Sequence, residues 1–434
     1  MTSVGGARTV PLAERLADQR TASLPRACNG WAETEGAGRL FRQETADWLN
    51  VLEPHRACTC RRMAAQPGVP CLQDTTERDF NGEQIKGLGP LSYEAQRGMY
   101  LHPTLAASRA REPLGVLDAW MWARAPKAEA GTRPGEKDST RWVEGYARVA
   151  GLAGQMEQTR LVYVGDRESD MLELMVRAHD TGYGADDLLR SQHDRVLPEG
   201  EKLWAQVRST PVLGELHLVL PPTKQRKSRP VRQQVRDQRV TLADRRGGQL
   251  DVTCVIATEI DAPQGETPIE WRLLTNRAVA DVAAAAELVD WYRARWEIEL
   301  FFLVLKQGCR VKALQLSTLA RIEKALVLFM IVAWRIARLM RLGRNCPDLD
   351  AALLFSPEEW QAASTSWPRS DHRSRRRRSI PSSDSSPDSA DFSGASATAS
   401  PGCKRCGSAS NACVPSPKAY ASPKACRQPS RVAC

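Results

Sequence analysis

The pattern of apolar and polar positions divides the chain into helical and strand-like parts. Apolar residues that recur every three to four positions predict amphipathic helices, whereas short continuous apolar runs bounded by turn residues predict buried strands. Residues 9–65 follow the helical pattern. Beyond them predicted strands alternate with predicted helices, the strands at 68–74, 99–108, 113–124, 160–166 and 187–192 and the helices at 141–156 and 169–180.

The pattern changes twice in the second half of the chain. It is strand-like from about 200 to 275, and it is helical from Asp281 to about Leu342. This order of elements predicts an α/β fold with an inserted β-rich subdomain. Within the insertion, residues 224–240 carry Lys and Arg on an alternating pattern, which fits either a solvated hairpin face or a surface that follows DNA phosphates.

The last part of the chain, residues 364–434, differs abruptly in composition. Of its 71 residues 18 are Ser, and Leu, Ile and Val nearly vanish. Such a segment buries too little apolar area to offset chain entropy, so we expect a disordered tail. The abrupt change favours a frameshift near codon 364 as its origin, which translation of the other two reading frames tests. The alternative is a genuine basic tail that binds DNA non-specifically.

Charge alone says little about the rest of the chain. The net charge of the protein is +10, and the tail supplies +8 of it, with 12 Lys and Arg against 4 Asp and Glu. DNA binding by residues 1–363 must therefore rest on local patches. No apolar run reaches 18 residues and the N-terminus lacks a signal-peptide pattern, so we expect neither a membrane span nor export.

The segment WYRARWEIELFFLVLK, residues 291–306, is apolar but contains charges. On an α-helix its polar residues divide into two groups, and one group shares an arc of about 60°: Tyr292, Arg295, Glu299 and Lys306. Arg293 and Glu297 fall on another face, where we expect a solvated edge. A polar stripe on a largely buried helix predicts either a site that it lines or an internal ion-pair network.

Two aspartates end predicted strands elsewhere in the chain. Asp74 follows the strand in CLQD, and Asp166 follows the strand in VYVGD. Because the carboxyl ends of neighbouring strands meet at one edge of an α/β sheet, both can converge with Glu299. Three carboxylates together repel unless a cation neutralises them, and oxygen ligands suit Mg²⁺ or Mn²⁺. Each aspartate alone could instead cap a turn, and we expect Glu168 and Asp170 to face the following helix.

These residues together resemble a known family. The spacing Tyr-x2-Arg-x3-Glu-x6-Lys, the DTT at 74–76 and the DRE-x-D at 166–170 are similar to those of bacterial insertion-sequence transposases with a DDE core. The resemblance is to the IS-four group, which contains the Tn-five-like enzymes, and it covers roughly residues 9–363.

The resemblance implies a fold, a reaction and a set of site residues. It implies a ribonuclease-H-like catalytic core at 67–363, in which Asp74, Asp166 and Glu299 are catalytic and bind two Mg²⁺ ions, with Mn²⁺ as a substitute. It implies cut-and-paste transposition through strand cleavage, a DNA hairpin and strand transfer. The implied DNA contacts are Tyr292, Arg295, Lys306, Arg190, His193 and Trp271.

One of these DNA contacts has a strong alternative. The resemblance implies that Trp271 stacks on a flipped base. Without the resemblance, Trp271 in ETPIEWRLLTN would be interpreted as a core or strand-packing residue.

The resemblance also implies partners and a location. The partners are double-stranded DNA with terminal inverted repeats, target DNA and a second copy of the chain in a synaptic homodimer. The location is the cytoplasm of a bacterium, in association with the nucleoid. We expect the N-terminal helical DNA-binding region, 1–66, to be shortened, and the tail to replace the region that pairs protomers. The alternatives are a related metal-dependent nuclease and a truncated, inactive remnant that only binds DNA.

Overall fold

The computed structural model of the protein describes residues 6–44, 47–128, 134, 137–220, 227–243 and 247–357. The tail at 364–434, with its expected disorder and frameshift, lies outside the described residues. None of the helices in the described ranges is long and apolar enough to cross a membrane.

Helices fill the N-terminal region, as the apolar pattern predicts. They are α1 (Gly6–Asp18), α2 (Leu24–Ala27), α3 (Trp31–Arg42) and α4 (Trp48–Ala64). Asp47 begins α4 as its N-cap, accepting a hydrogen bond from the backbone N–H of Asn50 at 2.9 Å. Helices α1, α3 and α4 all contact the long helix α10 (Leu319–Asn345), so this region packs onto the C-terminal part of the described chain.

A five-stranded unit forms one half of the sheet. Its strands are β1 (Gly68–Gln73), β4 (Arg97–Ala107), β5 (Pro113–Trp122), β6 (Arg160–Gly165) and β7 (Asp186–Arg190), and short strands β2 (Thr76–Asp79) and β3 (Gly89–Pro90) also pair with β4. The spatial order is β5–β4–β1–β6–β7, with β1, β6 and β7 parallel and β4 antiparallel to β1 and β5. This is the ribonuclease-H-like arrangement that was expected.

The β-rich insertion continues this sheet. It contains β8 (Gly214–Leu220), β9 (Arg229–Ala243), β10 (Gln249–Ile260) and β11 (Glu270–Thr275). Because β11 pairs antiparallel with β7, the order runs on as β7–β11–β10–β9–β8. One part of the predicted strand-like segment is wrong: α7 (Leu203–Ser209) is helical, since Leu203 and Val207 are one helical turn apart and both are buried.

Apolar side chains cover both faces of the sheet. The buried apolar residues form two cores, one on each face of the sheet. Helices α5 (Thr140–Ala153), α6 (Leu172–Asp180) and α7 pack on one face and contribute to the core that we call the second core. On the other face, the first core contains apolar residues of α8 (Val282–Ala294), α9 (Trp296–Leu303) and α10. The predicted strands and helices up to residue 192 are confirmed in position.

The helical pattern predicted from Asp281 to about Leu342 corresponds to several helices, α8, α9 and α10. It is interrupted at Arg295, where the backbone bonds Arg295 N–H to Tyr292 O (3.1 Å) and Ile298 N–H to Arg295 O (3.0 Å) span three residues instead of four. Arg295 keeps helical dihedral angles, φ −53° and ψ −27°. After α9 a π-helical turn covers Val304–Gly308, and an irregular segment leads to α10.

Candidate active site

Asp74 and Asp166 lie side by side at the carboxyl ends of parallel strands. The register of β1 and β6 pairs Leu72 with Val164, two residues before each aspartate. The backbone N–H of Thr75 donates to Asp74 Oδ1 and that of Glu168 donates to Asp166 Oδ1, both at 2.8 Å. Each aspartate therefore caps its own turn and also stands at the edge of the sheet where the sequence predicts a site.

Arg295 joins the third predicted carboxylate to this edge. Its Nη1 lies 2.6 Å from Asp74 Oδ2 and 3.2 Å from Glu299 Oε1. The Arg295 and Asp74 side chains are 15% and 14% exposed, whereas that of Glu299 is 44% exposed. The Nε of Arg295 is buried and has no hydrogen-bond partner in the described structure. The guanidinium thus bridges two carboxylates and keeps one donor free.

The electrostatics of this cluster are those of crowded carboxylates. Burial raises the pKa of Asp74 well above its usual range, and the charges of Asp166 and Glu299 raise it further, while Arg295 lowers it. Burial also raises the pKa of Asp166, against the lowering effect of Arg295. Within the described ranges no three His, Cys, Asp or Glu side chains form a ready-made metal cluster. Arg295 supplies the positive charge in this conformation.

A buried polar chain supports the turn after Asp74. Thr75 Oγ1 and His102 Nδ1 are 2.8 Å apart, and His102 Nε2 lies 3.0 Å from Gln73 Oε1. Gln73 Nε2 in turn donates to Thr104 Oγ1 at 2.7 Å. Burial lowers the pKa of His102 to about 3, so the imidazole is neutral. The sequence did not predict this series of hydrogen bonds. The one sign of it is a histidine inside the apolar strand MYLHPTLAAS.

The predicted DNA contacts Arg190 and Tyr292 lie against each other. The Arg190 guanidinium is 5.6 Å from the centre of the Tyr292 ring, and its Nη2 donates to the backbone oxygen of Glu270 at 2.9 Å. Burial lowers the pKa of Arg190, and Tyr292 partly reverses that effect. Strand β7 and helix α8, far apart in sequence, therefore combine their predicted phosphate ligands on one face of the sheet.

Two other predicted contacts, His193 and Lys306, have exposed side chains. The backbone N–H of His193 donates to Asp170 Oδ2 at 2.8 Å. Lys306 belongs to the π-helical turn, and partial burial and nearby Arg78 lower its pKa while Glu299 raises it. Lys306 is thus within the electrostatic reach of the carboxylate cluster.

Trp271 is buried in the structure. Its side chain is 8% exposed and belongs to the first core, together with Leu273 two residues along β11. The alternation of side chains along a strand puts both residues on the core-facing side. This packing agrees with the alternative, a strand-packing residue, and stacking on a flipped base stays a prediction.

Two expectations about charged neighbours are also wrong. Glu297 is 3% exposed and forms an ion pair with Arg341 of α10, so its face is buried rather than a solvated edge. Asp170 does not face the following helix. It forms an ion pair with Arg195 at 2.7 Å and accepts the backbone N–H groups of Gln192 and His193.

The arginines of β9 are largely paired. Arg229 forms ion pairs with Glu259 and Glu266, and Arg232 with Glu215 and Asp261. These contacts favour an ion-paired hairpin face over a surface that follows phosphates. Residues 224–226 of the same segment lie outside the described residues.

Three family models match the chain. The model described as "Transposase DNA-binding" matches residues 6–46, "Transposase DDE domain" matches 179–335 and "Transposase Tn5 dimerisation domain" matches 331–369. Of the three predicted catalytic carboxylates, Glu299 lies inside the DDE match, whereas Asp74 and Asp166 precede it.

A solved structure is also similar to the chain. It is described as "Cryo-EM structure of piggyBac transposase synaptic complex with hairpin DNA (SNHP)", with 9% sequence identity and a TM-score of 0.37. The similarity covers 79% of this chain and 66% of that one, which is just under two thirds of its length.

Proposed function

Because this chain belongs to the Tn5-like DDE transposases, we propose that it catalyses DNA strand cleavage and strand transfer in the cut-and-paste transposition of an insertion sequence. In this proposal the substrate is double-stranded DNA with terminal inverted repeats. The freed 3′-hydroxyl attacks the opposite strand to form a hairpin, which is reopened before the strand joins target DNA. Two copies of the chain act together, in the cytoplasm of a bacterium.

One observation carries the proposal. Asp74, Asp166 and Glu299 come from three separate parts of the chain and converge around one guanidinium, that of Arg295. A purely structural network would offset three carboxylates with a similar number of cations, because buried charges are costly without partners. Here burial keeps the pKa values of Asp74 and Asp166 raised, which supports a site that is completed by a further cation.

The donor set fits a hard divalent ion. All three candidate ligands are carboxylates, and Asp74, Asp166 and Glu299 would hold Mg²⁺, for which Mn²⁺ can substitute. When bound, such ions lower the pKa of an attacking water or 3′-hydroxyl and stabilise the leaving oxygen.

The neighbouring side chains have roles that follow from their positions. Arg295 can turn its unpartnered Nε to a phosphate oxygen, forming a charge-assisted hydrogen bond. Arg190 and Tyr292 hold a second phosphate beside it, and exposed Lys306 acts as a point charge on the other side. Together they orient a phosphodiester without any covalent enzyme intermediate.

The test is cleavage of end-labelled DNA that carries the sequences flanking the gene, in the presence of Mg²⁺. Wild type is compared with Glu299→Ala and with Glu173→Ala, which removes an exposed carboxylate from α6. We expect Glu299→Ala to cut roughly a thousandfold more slowly, and Glu173→Ala to cut like wild type. Equal rates for Glu299→Ala and wild type would contradict the catalytic assignment.

Two further outcomes separate the alternatives. Cleavage without joining to target DNA indicates a related metal-dependent nuclease. Binding of the DNA without any cleavage by wild type indicates a remnant that only binds DNA.

A further inference from the structure

Lys306 lines a groove of about 760 Å³, and the three candidate carboxylates are not among its lining residues. One wall is formed by β2 and the residues near β3, and the other by residues 306–313. We name it the cationic groove after four of its lining residues: Arg78, Lys306, Arg310 and Lys312. Only Lys306 among them was predicted from the sequence to contact DNA.

These four cations have no carboxylate partner within the described ranges. The two acidic residues of the groove are used locally, since Glu77 accepts the backbone N–H of Ser92 at 2.8 Å and Asp79 accepts that of Asn81 at 2.6 Å. On β9, by contrast, Arg229 and Arg232 each have two carboxylate partners. The four cations of the groove are therefore available to bind an anion.

Two of the cations are held in position by the fold. Burial lowers the pKa of Arg78, and no carboxylate reverses that effect, so an anion in the groove would offset the cost of its desolvation. The Lys312 amine lies 5.9 Å from the centre of the Phe80 ring, a cation–π arrangement that directs it toward β2. The uncharged residues of the lining are Leu91, Gln96, Cys309, Val311 and Ala313.

We propose that the cationic groove binds the sugar–phosphate backbone of single-stranded DNA, namely the strand that continues beyond the phosphate cleaved at the carboxylate cluster. This inference rests on the proposed function. Lys306 lines the groove and is within the electrostatic reach of Glu299 and Asp74, so a strand with a phosphate at Lys306 can continue into the groove toward Arg78 and Lys312. The volume is that of a ligand cleft, sufficient for a few nucleotides and too small to enclose a duplex.

The experiment compares two DNA probes on the full chain. One is a blunt labelled duplex, and the other is the same duplex with a short single-stranded extension. Binding is measured by fluorescence anisotropy over a range of salt concentrations, without divalent ions so that the DNA stays intact. The test variant is Arg310→Gln with Lys312→Gln, both exposed. The control is Arg177→Gln with Lys202→Gln, which removes the same charge from exposed positions on α6 and before α7.

We expect the test variant to bind the extended probe about tenfold more weakly and to bind the blunt duplex like wild type. Its slope of log K against log salt on the extended probe should fall by about 1.4, which corresponds to two lost phosphate contacts on a single strand. The control variant should match wild type on both probes. Unchanged binding of the extended probe, or an equal loss on both probes, would overturn the proposal.

This outcome is independent of the cleavage test. If Glu299→Ala still cuts DNA, the catalytic proposal fails, while a loss confined to the extended probe continues to support single-strand binding in the groove. If Glu299→Ala is inactive and the groove variant binds normally, the catalytic proposal stands and the groove proposal fails.

Discussion

Arg295 shows how one residue determines the state of the candidate site. Its guanidinium contacts Asp74 and Glu299, so two of three crowded carboxylates share one positive charge. The Arg295–Glu299 contact follows from their spacing of four residues on a helix. The Arg295–Asp74 contact joins residues 221 positions apart and follows from the fold. A single side chain thereby links strand β1 to the helix that carries Glu299.

Asp187 offers a test of burial at the scale of one residue. It is 2% exposed and exchanges hydrogen bonds with Asn276, and burial raises its pKa to about 7. The unfolded chain loses this proton near pH 4 and the folded chain near pH 7, so the stabilising contribution of Asp187 is lost as the pH rises across that window. We expect Asp187→Asn to raise the free energy of unfolding by roughly 4 kcal/mol at pH 8.

Urea denaturation at several pH values measures this effect. The difference between Asp187→Asn and wild type should shrink toward zero as the pH falls from 7 to 4. The control is Asp348→Asn, at an exposed position, which should show no pH-dependent gain. A gain for Asp187→Asn that is the same at pH 4 and pH 8 would show that the charge is not its cause.

At the scale of elements, α9 is fixed to α10 by a buried ion pair. Glu297 and Arg341 are paired, with side chains 4% and 19% exposed. Glu299 lies on the same short helix, two residues away, so the pair fixes the element that presents the candidate ligand. The pair also explains why an apolar helix tolerates a glutamate on its buried face.

A double-mutant cycle measures what this ion pair contributes. Glu297→Met leaves Arg341 without its partner, and we expect a loss of about 3 kcal/mol in the free energy of unfolding. Adding Arg341→Met should recover most of that loss, because two apolar side chains replace the pair. As a control, Glu53→Met breaks an exposed pair with Arg56 and should change stability by less than about 0.5 kcal/mol. Equal losses in the single and double variants would argue against the pair.

At the scale of the whole molecule, the region matched to dimerisation is also part of the core. The match to residues 331–369 begins inside α10, where Val332, Ala333 and Trp334 are buried. Trp334 Nε1 donates to the backbone oxygen of Pro113 at 2.9 Å, which ties α10 to β5. The expected replacement of the protomer-pairing region by the tail therefore leaves the beginning of that region in place.

A truncation tests the boundary at residue 364. A chain that ends at residue 363 should unfold at the same urea concentration and with the same slope as the full chain, because the composition of 364–434 does not build a core. A chain that ends at residue 330 loses the buried second half of α10 and should fail to fold. A lower midpoint for the chain ending at 363 would show that the tail contributes to the folded structure.

The sequence alone predicted the elements whose pattern is regular. The strands ending at Asp74 and Asp166 were predicted because a buried strand in a parallel sheet is a short apolar run with a polar end. The helical spacing predicted that Arg295 and Glu299 lie together. Helix α7 was missed because it has only seven residues and two buried positions. These are too few to distinguish a helical pattern from a strand-like one.

Which charges are paired follows from tertiary packing and not from the sequence pattern. Glu297, Asp170 and the β9 arginines have partners on other elements, and nothing in their local pattern specifies those partners. The burial of Trp271 and, within the described residues, the unpaired cations of the cationic groove likewise depend on how distant segments pack. The physical reason is that periodicity reports which face of an element is buried, whereas the partner on that face is set by elements far away in the chain.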